Sequence, residues 1–235
     1  MLLPLPPHMI MNGERNIFKM SWRKYFPLMF LSHHLTHNFC CRYIRDIANP
    51  STLDDFFPTF RHKDWYLGSS WASGIATIGG HPYPNGRNQE SSSEAIAAYE
   101  AIGLYGETMT TVFLDSSSDD DFGHAITSSR VRDLGRLLTA TELRSAKTYW
   151  HSMPSDTPGR LYPAAYSPPA VGMLWSTMAQ FQTWFGSAPY LPIGIQLLPI
   201  TPVSEERDTI AWSKAIYGPF HDSCSADEMC LMQGW

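Results

Sequence analysis

A mainly α fold with long loops is predicted by three stretches of the chain. Ser91-Ser92-Ser93-Glu94 fits the S-x-x-E capping box, and Ala95, Ala98, Tyr99, Ile102 and Tyr105 follow at helical spacing. Residues 129–150 carry Val131, Leu134, Leu138, Leu143 and Ala146 with charges between them, the pattern of an amphipathic helix. Residues 172–185 repeat an apolar residue at every third position, Trp175, Met178, Phe181 and Trp184, and read as a further helix.

In chain order, the first forty residues read badly as the opening of a mature domain. The opening MLLPLPPHM lacks a charged n-region and a small-residue cleavage site, and the apolar run 25–31 is interrupted by Pro27, so no signal peptide is visible. Tyr43–Ala48 complete a helix that Asn49-Pro50 stops, because proline disfavours helix in the residue before it. Residues 61–90, rich in Gly, Ser, Pro and aromatics without clean periodicity, read as a functional loop region. The polar run 115–121 reads as a solvated loop, since it lacks the Gly and the terminal Glu of a calcium loop. Pro154–Pro169 is a proline-rich connector, and Ile193–Pro202, apolar and bounded by prolines, reads as a buried extended segment.

Composition narrows the function. Seventeen Lys+Arg against 22 Asp+Glu give a net charge of −5, so there is no basic field to hold nucleic acid or an anionic membrane surface. No apolar run approaches the ~20 residues of a membrane span. At 235 residues one sizeable core is expected. Charged residues make up only 17%, and aromatics reach 13% with eight tryptophans, enough rings for either an aromatic core or a groove that stacks on sugar faces. Cys40, Cys41, Cys224 and Cys230 fit no zinc spacing. Cys224 and Cys230 could close a small loop, but free thiols are the expectation.

The strongest chemical feature is Gly86-Arg87-Asn88-Gln89-Glu90-Ser91-Ser92-Ser93-Glu94-Ala95, which sets two carboxylates across a helix start. With Ser91 as N-cap, Glu90 stands near the positive end of the macrodipole, which favours an ionised carboxylate suited to activating water. Helix capping alone is the competing explanation for both glutamates. A second feature, Arg61 to Gly74, alternates charged, aromatic and small residues, a mix suited to a polyol. In it Trp65 and Trp71 are either core residues or sugar-stacking rings, and Asp64 either contacts substrate or pairs with Arg61 or Lys63. A metal reading on His33, His34, His37 and His62 lacks an H-E-x-x-H arrangement and is set aside.

Five blocks, Arg45 to Ser51, Arg61 to Gly74, Gly86 to Ala95, Thr183 to Gly186 and Gly194 to Pro202, resemble in order the signature of family 81 glycoside hydrolases, the endo-β-1,3-glucanases. The resemblance covers roughly residues 42–235, and residues 1–41, which match it poorly, are expected to be in part non-native sequence. It implies part of an (α/α)6 barrel and an inverting hydrolysis of internal β-1,3-glucosidic bonds in β-1,3-glucan. Glu90 would be the base, with Glu94 holding Glu90 or the attacking water, and Asp64, Trp71, Asn88 and Gln89 would line the substrate groove. No metal or organic cofactor is implied. The family's general acid, an aspartate in a Tyr-Asn-Asp-His-His segment, has no counterpart in the sequence, and Ser69 stands where many members have His. Impaired turnover is therefore one expectation, and a non-catalytic β-glucan-binding remnant is the alternative. The resemblance also implies an extracellular or cell-wall location for full-length members.

Overall fold

The structure, a computed structural model, describes residues 40–71, 75–78, 81–116, 119–154 and 156–232. The chain divides into two units, Met1–Arg42 and Tyr43–Trp235, and the second contains nearly all of the described residues. The expectations for residues 1–39, including those for His33, His34 and His37, lie outside the described residues.

The second unit is mainly helical with one small sheet. Helix α1 occupies residues 40–48 and stops at Asn49-Pro50, as the proline dictates. Strands β1 (Ile75–Ile78) and β2 (His81–Gln89) precede α2 (Ser92–Leu114) and α3 (Asp119–Ser145), which runs into a π turn at Ala146–Trp150. Strands β3 (Met173–Trp175) and β4 (Ala179–Gln180) follow, then α4 (Tyr190–Leu197), α5 (Ser204–Arg207), α6 (Ile210–Ser225) and α7 (Glu228–Met232). The sheet is antiparallel in the order β1-β2-β3-β4, with Asn88 opposite Trp175 and Gln89 opposite Leu174.

Helices α2 and α3 form the scaffold. A Cβ added at Gly135 would lie 2.3 Å from the Gly103 nitrogen, so the two backbones meet where only glycine fits. Around this crossing Ala48, Tyr99, Ile102 and Leu138 are buried with Ile44 and Ile47 of α1. A second cluster gathers Ile96, Ala146, Trp150 and Val171, and a third gathers Ala170, Ile193, Trp212 and Ile216. The base of α2 therefore sits where the sheet, the helical hairpin and α4 converge.

Several sequence expectations are corrected. Residues 61–90 are not all loop, since β1 and β2 lie within them. Residues 172–185 form the β3–β4 hairpin instead of a helix: Gly172 packs with its Cα against the Gln182 backbone, where an added Cβ would lie 2.2 Å from the carbonyl oxygen. Ile193–Leu197 is helical, not extended; Pro192 falls in the first turn of α4, where its missing N–H costs nothing, and Pro199 follows the helix end. Helix α3 begins at Asp119, inside the run read as a loop, because aspartates favour a helix N-terminus. Cys224 and Cys230 form a disulfide, the turn between α6 and α7 bringing their Cα atoms to 5.2 Å. Trp65 is 46% exposed and packs edge-on against Phe60, so it is not a core residue.

The loop between α1 and β1 is held by unusual backbone. Phe60, Arg61 and His62 all have positive φ, a conformation L-residues adopt at a cost. Gly68 (φ +79°) closes the next turn, and a Cβ there would lie 2.5 Å from the Thr141 carbonyl oxygen of α3. Gly68→Ala is accordingly expected to destabilise the protein by more than about 1 kcal/mol, measurable as a shift in the urea midpoint.

Candidate active site

Glu90 sits between the end of β2 and the first turn of α2, and the local structure follows from the three serines after it. Ser91 is the N-cap of α2 and its Oγ accepts the Glu94 N–H at 3.2 Å, half of the capping box read from the sequence. The same hydroxyl donates to the Ile195 carbonyl at 3.2 Å, Ser93 Oγ donates to that carbonyl at 2.6 Å, and Ser92 N–H and Oγ donate to Gln196 Oε1 at 3.2 and 3.0 Å. The serines thus fasten the head of α2 to α4. Gln196, fully buried, returns its Nε2 to the Glu90 carbonyl at 3.0 Å. The backbone of Glu90 is thereby held from α4.

The Glu90 carboxylate faces a pocket of about 440 Å³ lined by Arg61, Asn88, Gln89, Glu94, Tyr99 and Trp184 among others. Its Oε1 accepts the backbone N–H of Trp184 at 2.6 Å. Trp184 is held in a tight turn by Thr183, whose N–H and Oγ1 both donate to the Gly186 carbonyl, at 3.0 and 2.9 Å. Its ring, 50% exposed, meets Tyr83 at 6.0 Å and Trp175 at 5.5 Å, and Tyr83 stacks on Trp175 at 4.9 Å. An aromatic cluster therefore stands beside the carboxylate. Glu94 is exposed and lines both this pocket and a more apolar one of about 740 Å³ with Phe185, Leu191 and Ile200.

Burial pushes the Glu90 carboxyl above its ordinary value of 4.5; the Trp184 N–H opposes the shift and the negative charge of Glu94 adds to it. The sequence expectation is that the helix terminus favours the ionised form; burial and the Glu94 charge act in the opposite direction. A carboxylate tuned upward is a stronger base for a water proton.

Beneath the pocket lies a buried polar network. Lys63 Nζ donates to Glu142 Oε2 at 2.8 Å and to the Gly68 carbonyl at 2.5 Å, and sits 4.9 Å from the centre of the Tyr99 ring. Glu142 Oε1 accepts Gln89 Nε2 at 2.8 Å, that nitrogen also donates to the Ser91 carbonyl at 3.1 Å, and Gln89 Oε1 accepts the Ser70 N–H at 2.7 Å. Burial lowers Lys63 and raises Glu142, and each partner's charge opposes the other's shift.

Of the residues singled out in the sequence, Glu90, Glu94, Asn88 and Gln89 come together around the pocket. Asn88 and Gln89 are almost fully buried, and the Gln89 amide is engaged at both ends by protein partners, so it supports the pocket from below. Asp64 and Trp71 do not line the pocket. Asp64 Oδ1 accepts the N–H groups of Tyr66 and Leu67 at 3.0 and 2.9 Å, a turn-forming role, and its charge acts on the neighbouring Lys63 without a direct ion pair. Arg61 instead pairs with Asp46 at 2.6 Å, and Lys63 pairs with Glu142. Glu142, Gln196 and the tethering role of the serines were missed; Lys63 and Glu142 are 79 residues apart, and no local spacing signals such a pair.

The family model for the glycosyl hydrolase family 81 C-terminal domain matches residues 30–215. The chain belongs to glycosyl hydrolase family 81. It is 35% identical over 161 residues, 68% of its length, to a glucan endo-1,3-beta-D-glucosidase of Acetivibrio thermocellus, of which it covers 18%. It is 28% identical over 162 residues, again 68% of its length, to the primary septum glucan endo-1,3-beta-D-glucosidase of Schizosaccharomyces pombe, of which it covers 13%. Among solved structures it is similar to a mutant of a family 81 glycoside hydrolase from Clostridium thermocellum, with a TM-score of 0.58 and 30% identity, covering 77% of this chain and 22% of that one. The chain thus spans about a fifth or less of the length of these proteins.

Proposed function

We propose that this chain forms the water-activating part of a site that hydrolyses internal β-1,3-glucosidic bonds of β-1,3-glucan with inversion, as a piece of an (α/α)6 catalytic domain over residues 42–235. The observation that carries the reading is the half-buried Glu90 carboxylate, fixed through its backbone and the Trp184 N–H beside exposed aromatic surface. Family membership and the names of the glucanase relatives support the substrate class. The name of the septum relative supports a cell-wall-related role.

In this reading the rings of Trp184 and Phe185 take the apolar face of a glucosyl unit, as aromatic surface does for sugars. Ionised Glu90 accepts a proton from water as the water oxygen bonds to the anomeric carbon and the glycosidic C–O bond breaks. Glu94 orients that water. The leaving oxygen takes a proton from an acid about 6.5–9.5 Å from the base in inverting enzymes. The family segment expected to carry that acid is not among the described residues, and acid assistance is worth about 10²–10⁴-fold. The mechanism calls for neither metal nor organic cofactor.

The test is release of a dinitrophenyl group from a dinitrophenyl β-1,3-gluco-oligosaccharide, whose activated leaving group needs no acid. Turnover that depends on Glu90 supports the hydrolase. The exposed aromatic cluster favours one second reading, a glucan-binding remnant, which predicts binding to linear β-1,3-glucan without turnover.

The pH dependence has a definite sign. The base must be ionised, so kcat/KM falls on the acid side at a pH above 4.5, the ordinary carboxyl value from which Glu90 is raised. Glu94→Gln removes a charge that raises Glu90, so this acid limb is expected to move to lower pH. A limb that stays in place or moves upward would contradict the coupling.

A further inference from the structure

We infer that the buried Lys63–Glu142 ion pair is a positioning device for the Glu90 carboxylate, acting through the side chain of Gln89. The inference rests on the reading of Glu90 as the water-activating base.

Stability alone is a weak reason for such a pair. Both side chains are fully buried, and replacing a buried ion pair by apolar groups of similar volume is often neutral or stabilising. Its geometry points to another use. Glu142 divides its oxygens: Oε2 takes Lys63 and Oε1 takes Gln89 Nε2, each at 2.8 Å. An ionised carboxylate only accepts hydrogen bonds, so it fixes which end of the Gln89 amide faces α3. That leaves Gln89 Oε1 toward the Ser70 N–H at 2.7 Å. Lys63, anchored on the Gly68 carbonyl, supplies the charge that keeps Glu142 ionised against desolvation.

Gln89 is the last residue of β2 and Glu90 follows it directly, so whatever fixes Gln89 fixes the backbone from which Glu90 projects. With the Gln89 amide held at both ends, the backbone at the strand end is fixed and the Glu90 carboxylate is presented to the pocket. The Gln196 amide on the Glu90 carbonyl at 3.0 Å completes the clamp. The link runs from Lys63 through Glu142 of α3 and Gln89 along the chain to Glu90, whose carboxylate takes the Trp184 N–H.

Two double variants isolate the link. Lys63→Met/Glu142→Gln removes the charges but keeps an oxygen acceptor opposite Gln89, whereas Lys63→Met/Glu142→Leu removes charges and acceptor alike. The readout is the pH titration of the Trp184 backbone amide by NMR, because that N–H bonds Glu90 Oε1 and senses its protonation whether or not the chain turns over. The wild type is expected to show the titration in full, the Gln variant, whose neutral amide can turn either end toward Gln89, to show it weakened, and the Leu variant to lose it. On the dinitrophenyl substrate the Leu variant should lose roughly 10- to 100-fold in kcat with KM within about twofold, the signature of misplacement. If the Leu variant fails to fold, Gln89→Met cuts the same link and should lose the same titration. An unchanged Trp184 titration in a folded Leu or Gln89→Met variant overturns the proposal. Failure of the base reading would appear separately, as Glu90→Gln leaving turnover intact while the Trp184 titration follows the expected pattern.

Discussion

Glu90→Gln is expected to lower turnover of a dinitrophenyl β-1,3-gluco-oligosaccharide about 10²–10⁴-fold, the usual worth of a positioned general base. The substitution keeps the side-chain volume and an oxygen that can accept the Trp184 N–H, so the fold and the aromatic surface should persist. Binding of β-1,3-glucan, measured by calorimetry, is expected to change by no more than about twofold, because loss confined to kcat marks an interaction made in the transition state. The half-burial of Glu90 also affects stability. A carboxyl raised in the folded state stabilises fully below its unfolded value and loses that contribution as pH rises through the folded value. Glu90→Gln, which cannot ionise, removes that dependence, so wild-type and variant unfolding curves should diverge as pH rises through this window.

The second large effect is expected at Lys63. Lys63→Met leaves the Glu142 carboxylate without its counter-charge in a fully buried site, and breaking a buried pair in this way costs about 3–5 kcal/mol. Urea unfolding at neutral pH measures the loss. Its pH dependence identifies the cause: burial already raises Glu142, and without Lys63 the opposing charge is gone. The deficit should therefore shrink on acidification, as Glu142 binds a proton in the folded state, and grow again as pH rises. Lys63→Met/Glu142→Gln, with no buried charge, should recover most of the stability. A single variant as stable as wild type would show that the pair is not buried as described.

The parts of the molecule legible in the sequence are those governed by local chemistry. The start of α2 follows from Ser91 and the backbone amide it accepts, and the end of α1 follows from Pro50. The carboxylates Glu90 and Glu94 were legible because they flank that helix start. Segments decided by distant partners were not. The polar end of β2 gives no strand signal, yet Asn88 and Gln89 are buried there, and Gln89 is satisfied by groups 19 and 53 residues away. Apolar residues at every third position in 172–185 imitate a helix, although the close approach of Gly172 to Gln182 favours a hairpin. The supports of the site, Glu142 and Gln196, are single polar residues within ordinary helical text, and only the fold brings them beneath Glu90. Asp64 and Trp71 looked suited to a sugar from their neighbours in sequence, but they do not line the pocket.

The most direct test of Glu90 as a water-activating base is the anomeric configuration of the first product, followed by proton NMR during hydrolysis of the dinitrophenyl β-1,3-gluco-oligosaccharide. The prediction is an α-configured reducing end that appears first and mutarotates afterwards, with its formation lost in Glu90→Gln. A β-configured first product would make the attacking group a protein nucleophile instead of water, and an α product formed equally well by Glu90→Gln would place the base elsewhere.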